Sequence, residues 1–309
     1  MRFLPDAEQR AFVSSLDAML GSADTPAIVR EWSRGEHARG RALWGRIAEA
    51  GVFGLAVPEK YGGFGLLPVE LALAFVELGR CAVPGPLVET VTAAVLLAES
   101  GITVSGMATV AHGSPYALDG DAAELRLVLT PEGLFRSPGH GPVRASLDPA
   151  RRLTALEKGE LLTTAPPTER ALALARLTTA AQALGVGVTL LDKTVTHVKH
   201  RTQFGAPIGS FQAVKHRLAD AKIALEFARP LVLGAALTLA PADLAAAKLT
   251  ACEAACTTAR TALQLHGAIG YTAECDLSLW LTKARALRTA WGGPWECRAA
   301  VLSGGDRRW

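Results

Sequence analysis

Apolar residues recur every three or four positions from Ala7 to Leu20 and again from Leu43 to Val52, the stripe of a helix with one buried face. Leu71 to Leu78 resumes the pattern, and Gly79 is expected to break it. Val91 to Leu97 is a further apolar helix, after a stop at Pro84-Gly85-Pro86. The Gly- and Pro-dense run from Gly51 to Gly65 predicts an ordered loop. From residue 101 to about 165 the period changes. Gly106 to Val110, Leu125 to Leu129 and Leu161 to Thr164 predict short strands between Gly- and Pro-rich turns. Long helices follow: Glu169 to about His200 with Thr168 as N-cap, Phe211 to Leu239 interrupted near Pro230, Ala-rich Pro241 to His266, and Leu277 to Thr289. The expected fold is mainly α: a helical domain over 1–100, a small β domain over 101–165 and a four-helix bundle over 166–309.

Composition narrows the function classes. A chain of 309 residues can bury a core without disulfides or metals. Half of the residues are hydrophobic and 20% are charged, which excludes a disordered chain. The net charge of +3 lacks the concentrated basic footprint of a nucleic-acid binder. The mean hydropathy of +0.23 is high. No apolar run reaches the about 20 residues needed to span a bilayer, so the surplus is expected inside the fold or in subunit contacts, with no membrane partner. Asp6, Glu8, Arg10 and Asp17 interrupt any signal-peptide core, and the expected compartment is cytoplasmic. Five cysteines argue against a disulfide framework. Cys252 and Cys256 share a helix face and read as buried small residues, with no matching metal-ligand spacing elsewhere.

Four segments carry candidate chemistry. Gly62-Gly-Phe-Gly65 lacks both the P-loop lysine and the Rossmann context, and reads as a tight turn. Arg201-Thr-Gln-Phe-Gly205, followed by Ser210-Phe-Gln212, puts a guanidinium and two amides beside a helix N-terminus. That combination suits a phosphate or pyrophosphate, although a solvated loop with a capping Arg fits the residues equally well. Gln264-Leu-His-Gly-Ala-Ile-Gly-Tyr271 places two glycines where a backbone can approach a ligand. His266 has no Ser–His–Asp or Cys–His grouping around it. Trp291-Gly-Gly-Pro-Trp-Glu-Cys-Arg298, read as a loop before the last helix, suggests a pocket wall; its only carboxylate, Glu296, fits a cap or ion pair better than a base.

Together these segments resemble the acyl-CoA dehydrogenase family. The run from Leu43 through Gly54-Leu-Ala-Val-Pro-Glu-Lys-Tyr-Gly-Gly-Phe-Gly65, then Glu77-Leu-Gly-Arg80, is similar to its N-terminal part. Arg201 to Gln212 and Gln264 to Thr272, with Glu274 and Lys283-Ala-Arg285, resemble its two flavin motifs. The resemblance implies a helical domain, a middle β domain and a C-terminal bundle. It implies FAD as cofactor, an acyl-CoA as substrate, and electron-transfer flavoprotein as the default electron acceptor. It also implies that Arg201, Gln203, Phe204 and Gln212 hold the pyrophosphate and adenine side of an FAD in a neighbouring subunit. Gln264, Gly267 and Ala268 would line the same cofactor, and Arg176 matches an arginine near the acyl-CoA site.

The departures from the family pattern are instructive. Residues 101–165 lack its Thr-Glu-Pro stretch and contain no Trp. The position of its usual base is Gly292, and the alternative base position is Ala175. Neither side chain can move a proton. The pattern resembles the short subunit of heterotetrameric, α2β2-type enzymes of bacterial steroid-CoA degradation, in which a longer paralogue supplies the base. Two alternatives remain open: a self-sufficient homo-oligomer with a displaced base such as Glu296 or Glu169, and a non-catalytic assembly subunit.

Overall fold

The structure is a computed structural model, and it describes residues 4–102 and 104–304. Among these residues lie ten α-helices and nine short strands, so the chain is mainly α. Contacts divide it into two compact units: the described residues of Met1–Ser22, Ala72–Ala82 and Thr179–Trp309, and Ala23–Leu71 with Val83–Thr178.

The first unit is helical. Helix α1 (Ala7–Gly21) starts at a capping box, with Asp6 accepting from the Gln9 amide at 2.9 Å and Gln9 accepting from the Asp6 amide at 3.0 Å. Helix α4 (Pro68–Arg80) runs through Gly79, where a break was expected. The physical reason is its crossing with α6 (Thr168–His200). A Cβ on Gly79 would lie 2.1 Å from the Gln182 carbonyl oxygen, and one on Gly185 of α6 would lie 1.9 Å from that of Val76. Each helix therefore spends a glycine so that the two backbones can touch. The Arg80 carbonyl at the α4 terminus accepts from Thr189 Oγ1 at 2.9 Å and from Trp280 Nε1 at 2.8 Å.

Helices α7 (Gln212–Thr238), α8 (Pro241–His266), α9 (Leu277–Leu287) and α10 (Pro294–Ser303) complete the bundle. Its centre is made of small residues, Ala183, Val186, Ala255, Ala259 and Ala284, around the larger Leu190, Trp280 and Leu287. Pro230 does not interrupt α7. Burial of Leu225, Ala228, Val232 and Leu233 on both sides of it outweighs the missing backbone donor. Thr168 is the first residue of α6 rather than its cap, and its hydroxyl donates to the Pro166 carbonyl at 3.3 Å. The expectation that no segment could span a bilayer also needs correcting. Helix α6 is long and apolar enough by length and composition, yet 78% of its most apolar window is buried in protein, as in a core helix.

The second unit mixes helices and sheet. Asp24 caps α2 (Thr25–Ser33), whose fully buried Trp32 lies against Gly40 of α3 (Ala38–Glu49). Helix α5 (Leu87–Leu97) is buried almost throughout, and Thr90 bonds the Ala108 amide at 3.2 Å, joining helix to sheet. Seven strands occupy the span between residues 108 and 163, where three were expected. The four that went unforeseen are β2 (Tyr116–Leu118), β4 (Gly133–Arg136), β5 (Val143–Arg144) and β6 (Leu153–Ala155). At two to four residues they are too short to show a period. Together with β1 (Ala108–His112), β3 (Leu125–Thr130) and β7 (Glu160–Thr163) they form two sheets, ordered β1-β3-β4-β7 and β2-β6-β5. Only the β1–β3 pair is parallel. Asp119 sits at the edge of β2 in left-handed backbone, fully buried, and burial pushes its carboxyl up to about 8.

Candidate functional site

The two flavin-like segments both lie in the helical unit. At the end of α6 the Arg201 amide donates to the His197 carbonyl at 2.9 Å, the last turn of the helix. A hairpin follows, with β8 (Thr202–Gln203) paired to β9 (Ala206–Pro207). Its two turn residues, Phe204 and Gly205, have φ of 54° and 76°, as a type I′ turn requires. Glycine adopts that geometry freely, whereas Phe204 does so at a cost, and its ring is 93% exposed. The loop closes where the Ile208 amide donates to the Arg201 carbonyl at 2.8 Å. Phe204 and Phe211 meet edge to face with centroids 6.3 Å apart, and α7 begins at Gln212.

The second segment ends α8. Gly267 turns the chain at φ 65°, and a Cβ built there meets nothing within 4 Å, so its backbone is bare on one side. Gln264 one turn earlier accepts at Oε1 from Arg217 Nη1 of α7, which leaves its amide N–H groups as the donors it presents. The rings of His197 and His266 stack with centroids 4.1 Å apart and planes 20° apart. His266 Nδ1 lies 2.8 Å from the Ala262 carbonyl, which assigns the proton to Nδ1. Burial, first of all, pulls both histidines below the ordinary imidazole range.

Arg201, Gln203, Phe204, Gln212, Gln264, Gly267 and Ala268 are thus all exposed residues of one unit. The remaining candidates stand elsewhere. Ala175 is fully buried in α6 and Arg176 beside it is half-buried; both belong to the other unit. Gly292 lies in the turn between α9 and α10 at φ 118°. Trp295 and Glu296, expected in the loop, are in α10, whose first residue is Pro294. Glu296 Oε2 accepts from the Gly293 amide at 2.7 Å, which makes it a helix cap.

Three residues that the motifs did not single out shape these segments. Arg217 and His197 are the partners of Gln264 and His266. Lys248 of α8 is buried, and its Nζ donates to the carbonyls of Gly292 at 2.5 Å and Arg288 at 3.3 Å. Its signal was present: Leu244, Lys248, Ala251 and Ala255 fall on one inward helical stripe, where a lone lysine is out of place. The two cysteines that share a helix face both turn to carbonyls of α9, Cys252 to Leu287 and Cys256 to Ala284. Burial pushes the Cys252 thiol up to about 12, so it is inert.

Comparison with known proteins gives the same family from independent directions. The acyl-CoA dehydrogenase N-terminal domain matches residues 6–106, and the acyl-CoA dehydrogenase C-terminal domain matches residues 167–303. Acyl-CoA dehydrogenase IpdE2 of Mycobacterium tuberculosis is 34% identical over 293 residues, which cover 91% of this chain and 92% of that protein. The chain belongs to the acyl-CoA dehydrogenase family. Its fold is shared with the ChsE4-ChsE5 complex from Mycobacterium tuberculosis at a TM-score of 0.80, with 23% identity over the full length of both chains. It is shared also with the Tcur3481-Tcur3483 steroid ACAD G363A variant at 0.81, with 23% identity over 96% of this chain and 97% of that one.

The family is one of flavoproteins, so this is an oxidoreductase whose cofactor is FAD. The donor set fits that group. A guanidinium suits a pyrophosphate, carboxamides suit the polar edges of adenine and ribose, and Gly267 leaves backbone bare for close approach.

Proposed function

We propose that this chain is the subunit of a hetero-oligomeric acyl-CoA dehydrogenase that lends FAD-binding residues to a longer paralogue, which supplies the catalytic base. One observation carries the reading: seven flavin-like residues are displayed together on the surface, while both base positions, Gly292 and Ala175, lack a carboxylate. In this reading Arg201 pairs with the pyrophosphate as a fork, Gln203 and Gln212 meet the adenine side, and Phe204 offers a ring face. Gln264, Gly267 and Ala268 line the cofactor from α8. Bound FAD would supply the hydride acceptor for Cβ of the acyl-CoA thioester, and a carboxylate of the partner would take the proton from Cα. Residues 101–165 form a reduced middle domain, and Arg176 contributes to the acyl-CoA site.

The substrate class is a bulky, steroid-type CoA ester. The support is the name of one fold relative, a steroid enzyme, and the smaller middle segment, which leaves room for rings. The assembly is an α2β2 heterotetramer working in the cytoplasm and passing electrons to electron-transfer flavoprotein. The Gly293–Glu296 bond weighs against a displaced base at Glu296.

The test is to purify the chain alone and together with a long acyl-CoA dehydrogenase paralogue from the same genome. FAD content and acyl-CoA oxidation should appear only in the mixture. Stoichiometric FAD and turnover in the chain alone would sink the proposal.

A further inference from the structure

The two flavin-like segments come from different helices, and the His197–His266 stack is an aromatic contact that ties the end of one to the end of the other. His197 also accepts the Arg201 amide at its own carbonyl, and His266 immediately precedes the Gly267 turn. Movement of either imidazole therefore reaches a residue that faces the cofactor. We infer that His197 is a positioning residue, whose neutral ring, stacked on His266, holds the Arg201 loop and the Gln264–Gly267 turn in register for FAD and releases them on protonation.

The surroundings support this. Two imidazoles 4.1 Å apart repel when both carry charge. The charged neighbours acting on them are cations: Arg201 on His197, and Lys193 on His266. Lys193 itself lies over the Trp280 ring of α9, and Arg217 on α7 is engaged with Gln264. These cations disfavour a charged pair. The folded form binds protons less readily than free imidazole, so register is complete above about pH 6.5 and is lost as pH falls below that value.

The inference rests on the flavin role of Arg201 and Gln264, and the experiment separates the two. FAD affinity of the reconstituted complex is measured by flavin fluorescence at about pH 7.5 and about pH 5.5 for wild type, H197F, H266F and R201A. Histidine C2 hydrogen exchange, read by mass spectrometry on the same complexes, gives the pKa of each imidazole. Wild type should lose about tenfold in affinity on acidification, the equivalent of one pKa unit. Phenylalanine keeps a stacking ring but cannot be protonated, so H197F should flatten that ratio to near one, and H266F should raise the His197 pKa toward its ordinary value. An unchanged acid loss in H197F, or an unmoved His197 pKa in H266F, overturns the inference. R201A with full FAD affinity overturns the flavin role itself, while the exchange measurement still decides whether the two rings are coupled.

Discussion

Two turns of the helical unit invite comparison. One follows α8 and runs from Gly267 to Tyr271; the other follows α9 and ends at Gly293. Both need glycine, at φ 65° for Gly267 and 118° for Gly292. Their supports are opposite. The first has polar and aromatic neighbours at its base, Arg217 on Gln264 and His197 on His266, and leaves its own backbone exposed. The second is gripped from beneath by a buried lysine that holds two of its carbonyls. The first is shaped to present groups outward. The second is locked at Gly292, where the proposed reading puts the missing base, in backbone that a side-chain-bearing residue adopts only under strain. In the proposed reading, the lack of a base at Gly292 is built into the backbone as well as into the side chain.

Breaking each turn should give a different signature. The largest effect is expected at the outward-facing end, where R201A should weaken FAD binding in the complex by about a hundredfold, equal to about 3 kcal/mol. Folding should be unaffected, because Arg201 is exposed and its structural bonds are made by its backbone. Isothermal titration of the apo-complex with FAD checks both the loss and the retained stoichiometry. Next comes K248M, which fills the same space but leaves the Gly292 and Arg288 carbonyls without their buried donor; about 2–3 kcal/mol of stability should be lost in chemical denaturation. If K248M is as stable as wild type, the contrast between the turns is wrong.

G292E sharpens the same contrast. Placing a carboxylate at Gly292, the base position of the proposed reading, should cost about 1–3 kcal/mol in backbone strain. It should produce no turnover in the absence of the partner, as a stopped-flow assay of flavin bleaching would read. Turnover by this variant alone would show that the chain lacks only its base. The smallest effect belongs to Glu296. E296Q keeps a side-chain oxygen that accepts from the Gly293 amide and should leave turnover of the complex within about twofold, whereas E296A should lose about 1 kcal/mol of stability. Abolished turnover in E296Q would return Glu296 to the list of bases.

Much of this was legible without coordinates, for identifiable reasons. The bounds of α8, Pro241–His266, follow from a proline suited to a first turn and a glycine suited to the end, both local signals. The flavin-like motifs were legible because their chemistry is packed into short contiguous stretches. The failures share a cause too. Gly79 and Pro230 look like breaks when only their own helix is considered, and the deciding partners, Gln182 across the crossing and the core around Val232, are remote in sequence. Lys248 and Gly292 are likewise far apart along the chain, so no spacing rule joins them.

By itself, then, the amino-acid sequence determined most of the helices, the family and the absence of a carboxylate at Gly292 and Ala175. Those properties depend on local periodicity, caps and residue identity. Only tertiary structure decided that a glycine is a contact rather than a break and that a lysine sets the turn at Gly292. It also decided that His197 meets His266. Each of these depends on which remote atom lies within about 3–4 Å, and that distance is a property of packing, to which no single segment of the chain holds the answer.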